Sequence, residues 1–349
     1  MGTMFKAFRI PLALTLITLV LMLFLAGPST TLTVAVLAIL EISLSFDNAV
    51  VNAKILGRMS RYWQGLFLTL GIAIAVFGMR LIFPLVIVSL AGHLGPVEVV
   101  QLAINEPDKY AEVLIRAHPA ISAFGGMFLL MLFLDFVFED RKIKWLRRLE
   151  WALAKIGRLE NLTVITALFV LAFTATTFGR EHAESVLLAG VCGIGAYLLI
   201  TSLTSLFDVD NIVKTKLLDK KTAKTWVSAG LFSFIYLEVL DGSFSFDAVV
   251  GAFAISNQIF VIALGLGIGA LFVRALTVYL VREGTLARYI YLEHGAHYAV
   301  GVLALILLAT IHYEIPQLVT GLIGIGFIGV AFIDSRKYLK RLAQAELKA

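Results

Sequence analysis

The sequence predicts an all-α, polytopic bundle of about ten transmembrane helices, with spans two to four repeated in inverted topology by spans seven to nine. Three observations predict it. The 349 residues are 60% hydrophobic and only 15% charged, with a mean hydropathy of +0.92, whereas soluble domains average about 25% charged. The apolar residues fall into runs near the ~20 residues that cross ~30 Å of hydrocarbon. Finally, one acidic phrase occurs twice inside such runs: L-E-I-S-L-S-F-D-N-A-V from Leu40 to Val50, and L-D-G-S-F-S-F-D-A-V-V from Leu240 to Val250.

In order, the runs are Ile10–Ala26, Leu32–Ile55, Tyr62–Leu90, Ala120–Phe138 and Leu162–Phe178, then Ser185–Phe207, Trp226–Ile255, Ile259–Val281, Tyr291–Ile311 and Leu318–Ile333. Lys6 and Arg9 precede the first run, as in a signal peptide, but no clear small-x-small cleavage site follows, so a retained anchor is expected over residues 1–30. The first core repeat is then 31–138, a linking region with basic loops 139–225, the second repeat 226–312, and the last span with a basic tail 313–349.

Loop charge orients the chain. Arg141, Lys142, Lys144, Arg147, Arg148, Lys155 and Arg158 follow span four; Lys214, Lys216, Lys220, Lys221 and Lys224 follow span six. Arg282 and Arg288 follow span eight, and Arg336, Lys337, Lys340 and Arg341 lie in the tail. Under the positive-inside rule both termini are cytoplasmic, in the plasma membrane that is a bacterium's inner membrane. Spans two and seven then run in opposite directions, the arrangement common in secondary transporters. The following spans extend the repeat: L-G-I-A-I-A-V-F-G-M-R ends at Arg80 and L-G-L-G-I-G-A-L-F-V-R at Arg274. A weaker echo pairs F-G-G-M in span four with H-G-A-H in span nine.

An ionised carboxylate inside a span costs at least ~2.5–3.5 kcal/mol on insertion scales, so it needs a reason. Glu41, Asp47, Asn48, Glu238, Asp241 and Asp247 form the candidate ligand set, supported by Ser43, Ser45, Ser243 and Ser245. Helical spacing puts Glu41, Ser45 and Asn48 on one stripe and Ser43 with Asp47 on another. Gly242 is the expected helix break, freeing carbonyls at mid-membrane depth. An all-oxygen set suits a hard divalent cation such as Mg²⁺, Ca²⁺ or Mn²⁺. Arg80 and Arg274 are the expected counter-charges. Against this stand simpler readings: acid–arginine pairs as glue between helices, or a proton relay without metal. Asp135 reads as an interfacial charge, Glu181, His182 and Glu184 as solvated loop, and His294 and His297 as satisfied helix-end histidines.

Other classes fare worse. An intramembrane aspartyl protease would carry two acids and a G-L-G-D phrase, but span eight reads G-L-G-I. Neither a P-loop nor H-E-x-x-H occurs, and no enzyme activity is expected. The single cysteine, Cys192, excludes an internal disulfide. A net charge of +5 spread over loops fits orientation in a bilayer rather than nucleic-acid binding.

E-I-S-L-S-F-D-N-A and E-V-L-D-G-S-F-S-F-D resemble the two signatures of the TerC family of integral membrane proteins, in the lysine-exporter transporter superfamily, of which this chain looks like an outlying branch. The arginine-ended spans and Y-I-Y-L-E-H-G-A are also similar to TerC segments. The resemblance covers the six core spans, with Ala248 where the family typically has serine and more spans than its usual count. It implies links to tellurite resistance and manganese export, and a metal site at Glu41, Asp47, Asn48, Glu238, Asp241 and Asp247. The expected function is export of a divalent cation, manganese by resemblance, through a central acidic site between inverted repeats, with membrane lipid and the cation as partners. The alternative is a non-transporting membrane component of a metal or tellurite stress-response complex, in which the acid–arginine pairs are structural.

Overall fold

A computed structural model describes residues 2–206, 220–253 and 255–346. Among these residues every regular element is helical. Helices α1 (Gly2–Leu25) and α2 (Gly27–Leu44) meet at Gly27, whose φ of +82° turns the chain at a value side chains rarely adopt. After α3 (Phe46–Leu56) come α4 (Arg61–Phe67), α5 (Leu70–Ala73), a π-helical segment (Ile74–Ile82) and α6 (Phe83–Gly92), which together make one composite span. Short α7 (Pro96–Asn105) leads into α8 (Pro107–Phe138); each begins with proline, whose fixed φ suits a first helical turn. Then follow α9 (Arg147–Ile156), α10 (Leu162–Thr177), α11 (Ala183–Leu206), α12 (Lys220–Ala252), α13 (Ile259–Arg282), α14 (Thr285–Arg288), α15 (Leu292–Ala309) and α16 (Gln317–Glu346).

Two helices form the packing centre. Helix α8 lies against α10, α11, α12 and α15, around a core that includes Met127, Phe128, Met131, Leu171, Leu240 and Val300. Helix α13 lies against α1, α2, α3 and the π segment, around Val34, Leu37, Ile262, Leu266 and Ile268. The α2–α13 contact is close because α13 carries glycines. A Cβ on Gly269 would stand 2.4 Å from the Glu41 side chain, and one on Gly265 would stand 2.5 Å from Leu37 Cβ. Small residues at such crossings are what bring two membrane helices together.

Among the described residues, eight helices are long and apolar enough to cross a membrane, and many of their large apolar side chains face outward. The sequence leads one to expect ten. The fifth expected run becomes α10, of 16 residues, which spans only ~24 Å. The seventh lies within α12, part of whose side chains fall outside the described residues. The basic loop expected over 208–225 falls largely outside the described residues.

The helix break is also not where the sequence places it. Helix α12 continues through Gly242, and a Cβ there would come within 2.5 Å of Met79 Cε, so this glycine makes room for the π segment. The break falls in the first acidic phrase: Ser45, at φ −98° and ψ 18°, separates α2 from α3. Gly269→Leu should lower the unfolding free energy by ~1–3 kcal/mol or more, read as a lower melting midpoint in detergent. Gly195→Ala, where a Cβ meets nothing within 4 Å, should leave the midpoint at or above wild type.

Candidate functional site

The α2–α3 break, the π segment, α12 and α13 meet around two buried arginines, each 2% exposed. Arg80 projects from the π segment. Its Nη2 donates to Glu41 Oε1 at 2.5 Å, and its Nη1 donates to the Ala75 carbonyl at 2.9 Å and to Asp241 Oδ2 at 3.5 Å. Arg274 projects from α13. It grips Glu238 with both Nη atoms, at 2.9 and 2.8 Å, and donates from Nη2 to Asp241 Oδ2 at 3.2 Å. Its Nη1 also reaches the Phe67 carbonyl at 3.3 Å, and its Cζ lies 4.1 Å from the centre of the Phe67 ring. Planar forked donors match carboxylates in two-point contact and stack on aromatic faces.

Asp241 is the hub. Both arginines reach its Oδ2, while Asn48 Nδ2 donates to its Oδ1 at 2.8 Å. Asn52 Nδ2 in turn donates to Asn48 Oδ1 at 2.8 Å, so α3 presents two amides one helical turn apart. Ser45 Oγ donates to Glu41 Oε1 at 3.1 Å, so the Glu41–Ser45 part of the expected stripe is in contact, while Asn48 follows the break. Three carboxylates face two guanidiniums, leaving one formal negative charge if all are ionised. Glu41 Oε2 has no hydrogen-bond partner among the described residues.

Other expected members are elsewhere. Asp47 is buried in the first turn of α3, where the Asn48 backbone N–H donates to its Oδ1 at 2.9 Å, and its Oδ2 lies 3.5 Å from the Cβ position of Gly324 in α16. Ser43 turns its hydroxyl back to the Ile39 carbonyl, and Ser243 to the Val239 carbonyl. Ser245 is buried, and its hydroxyl has no hydrogen-bond partner among the described residues. The Asp247 side chain lies outside the described residues. Among those described, no group of three or more His, Cys, Asp or Glu side chains is arranged to hold a metal ion. A cavity of about 400 Å³ between the π segment, α8 and α12 reaches Glu238 past Met79, Ile235, Gly242 and Ser243.

A family model described as a protein of unknown function, DUF475, matches residues 46–342. The chain belongs to the DUF475 family. The match takes in Asp47, Asn48, Arg80, Glu238, Asp241 and Arg274 and leaves Glu41 outside. No curated protein and no solved structure gives a significant match.

The other charged groups named from the sequence lie away from the site, and the His294 Nδ1 is buried without a partner among the described residues. Asp135 is exposed and accepts a hydrogen bond from Tyr197. His297 stacks on Phe136 with its Nδ1 2.8 Å from the Glu293 carbonyl, and His294 Nε2 lies 3.0 Å from the Ile143 carbonyl. Sequence reasoning missed Asn52, Phe67 and Gly71. Asn52 was visible as the second amide of an i, i+4 pair. Gly71 lies nine residues before Arg80 but seats Arg274, whose Nη1 is 2.3 Å from the Cβ position.

Removing one partner of a buried pair strands the other. Arg80→Leu and Glu41→Leu should each destabilise by ~3–5 kcal/mol, and the double variant by clearly less than their sum. Thermal unfolding of the four proteins in one detergent measures the coupling.

Proposed function

We propose that this protein is a secondary transporter exporting a divalent cation through the acid–arginine site. The TerC resemblance makes that cation manganese, with magnesium and calcium as the other hard ions suited to oxygen donors. The observation that carries the reading is the convergence of three buried carboxylates and two guanidiniums, from both acidic phrases, within an apolar bundle. In this reading spans two to four and seven to nine are inverted repeats. All ten expected spans cross a bacterial inner membrane, and the basic loops and both termini are cytoplasmic.

The arginines act as stand-ins for the cargo. An arriving cation takes up the oxygens of Glu41 and Asp241, starting at the unpartnered Glu41 Oε2. Each displaced guanidinium keeps a second acceptor: the Ala75 carbonyl for Arg80, and the Phe67 carbonyl and ring for Arg274. When the cation leaves, the arginines return and the acids are not left bare. The cavity beside Glu238 supplies space for that exchange.

One observation favours the second reading, a structural role in a stress-response complex. The Arg274–Glu238 grip is two-point and buried, and no described group offers three metal-binding side chains together. Metal content separates the two. In a manganese-sensitive bacterial host, wild-type protein should lower cell-associated manganese, measured by mass spectrometry. Asp47→Asn and Asp241→Asn should abolish this at matched protein levels. Unchanged manganese with wild-type protein would overturn export. Millimolar Mn²⁺ that fails to raise the melting midpoint of purified protein would favour the structural role.

A further inference from the structure

Helix α9 lies outside the spans, between α8 and α10, and takes no part in the site. Its sequence, R-R-L-E-W-A-L-A-K-I, divides into three faces. One face docks on the bundle through buried Glu150 and Ala154. The Glu150 carboxylate accepts the backbone N–H groups of Trp145 and Leu146, at 3.2 and 3.0 Å, and the Tyr298 hydroxyl at 3.2 Å. Burial opposes its ionisation, but His294, the Leu146 N–H and Tyr298 outweigh burial and hold the carboxyl below its ordinary range. The helix is therefore fixed in place by its own acid.

Among the described residues, the side chains of the other two faces are largely uncovered. Leu149 and Ile156, seven residues apart, share one side and are each about half exposed, and exposed Ile143, Leu146 and Leu159 flank the helix. Arg148 and Lys155, also seven apart, share the neighbouring stripe, ~100° around. Both are exposed, and among the described residues neither makes an ion pair. Trp151 is 61% exposed, with Lys155 Nζ 5.5 Å from its ring.

We infer that α9 lies in the membrane interface and binds the anionic headgroups of phospholipids through Arg148 and Lys155, with Leu149 and Ile156 in the acyl boundary. A docked face, an apolar face and a basic face, set between two membrane helices, fit that position and no other solvent. Trp151 beside Lys155 matches the headgroup level, where tryptophan concentrates. Each basic side chain near an anionic leaflet strengthens attachment, and salt weakens it.

The test uses the purified full chain in neutral detergent. Added phosphatidylglycerol should raise the melting midpoint, whereas phosphatidylcholine and inorganic phosphate at equal concentration should not. Arg148→Gln combined with Lys155→Gln should keep the lipid-free midpoint and lower the apparent affinity for phosphatidylglycerol about 30-fold. Phosphatidylglycerol brominated in its acyl chains should quench wild-type fluorescence more than that of Trp151→Phe. Equal effects of phosphatidylcholine, an equal shift with phosphate alone, an unchanged response in the double variant, or equal quenching of the two proteins would each overturn the inference.

Discussion

Two guanidinium groups held away from water are the constraint on which the rest of this structure depends. Arginine does not shed its proton in a protein, so each buried guanidinium requires anions and acceptors for a fork of N–H donors. An apolar bundle offers none except those the chain brings. Glu41, Glu238 and Asp241 bring the charge; the Ala75 and Phe67 carbonyls bring the remaining acceptors. The π segment fits the same requirement. Such geometry is found mostly as single-turn bulges at functional sites, and here it covers nine residues and carries Arg80 back toward Ala75. The glycines at 71 and 269 lie where a Cβ would collide with Arg274 or Glu41.

Stability alone does not account for this arrangement. Well-packed apolar side chains often replace a buried ion pair at no loss, or with a gain of ~1–4 kcal/mol. The pairing is also uneven. Glu238 is held by one arginine at two points, Glu41 by the other at one, and Asp241 by both. A shared hub couples the two arginines: moving either one changes what the other must neutralise. The two arginines therefore form one coupled cluster and not two independent staples.

The site was legible in the sequence where charge cost decides, and illegible where packing decides. Acids and arginines in apolar runs stand out because hydrocarbon penalises them. Their partnership then follows from the need for neutrality, and the Glu41–Ser45 contact follows from helical spacing. The break did not follow. Glycine at 242 reads as a weak point, yet its helix is continuous, because the missing side chain is used to admit Met79. Ser45, where the break falls, has no such signal. Phe67 was similarly hidden, since one aromatic residue among many carries no mark of the cation it will cover. Element length is set in the same way: hydropathy records apolar length, whereas the fold sets where α10 stops.

The break gives Asp47 and Asp241 different means of handling charge. Interrupting the helix at Ser45 creates a new helix start one residue before Asp47, and a helix N-terminus carries roughly half a positive charge and unpaired N–H groups. Asp47 accepts one of those N–H groups, so this buried carboxylate is stabilised without either arginine. Continuous α12 offers no such terminus near Asp241, and that carboxylate takes both guanidiniums and the Asn48 amide instead. Within the first phrase, then, Asp47 is compensated by backbone and Glu41 by the Arg80 and Ser45 side chains, while Asp241 of the second phrase is compensated by side chains alone. Side-chain partners can move aside without unfolding a helix, and a helix terminus cannot. Asp241 therefore depends on partners that can rotate away, and Asp47 on a helix terminus that stays in place.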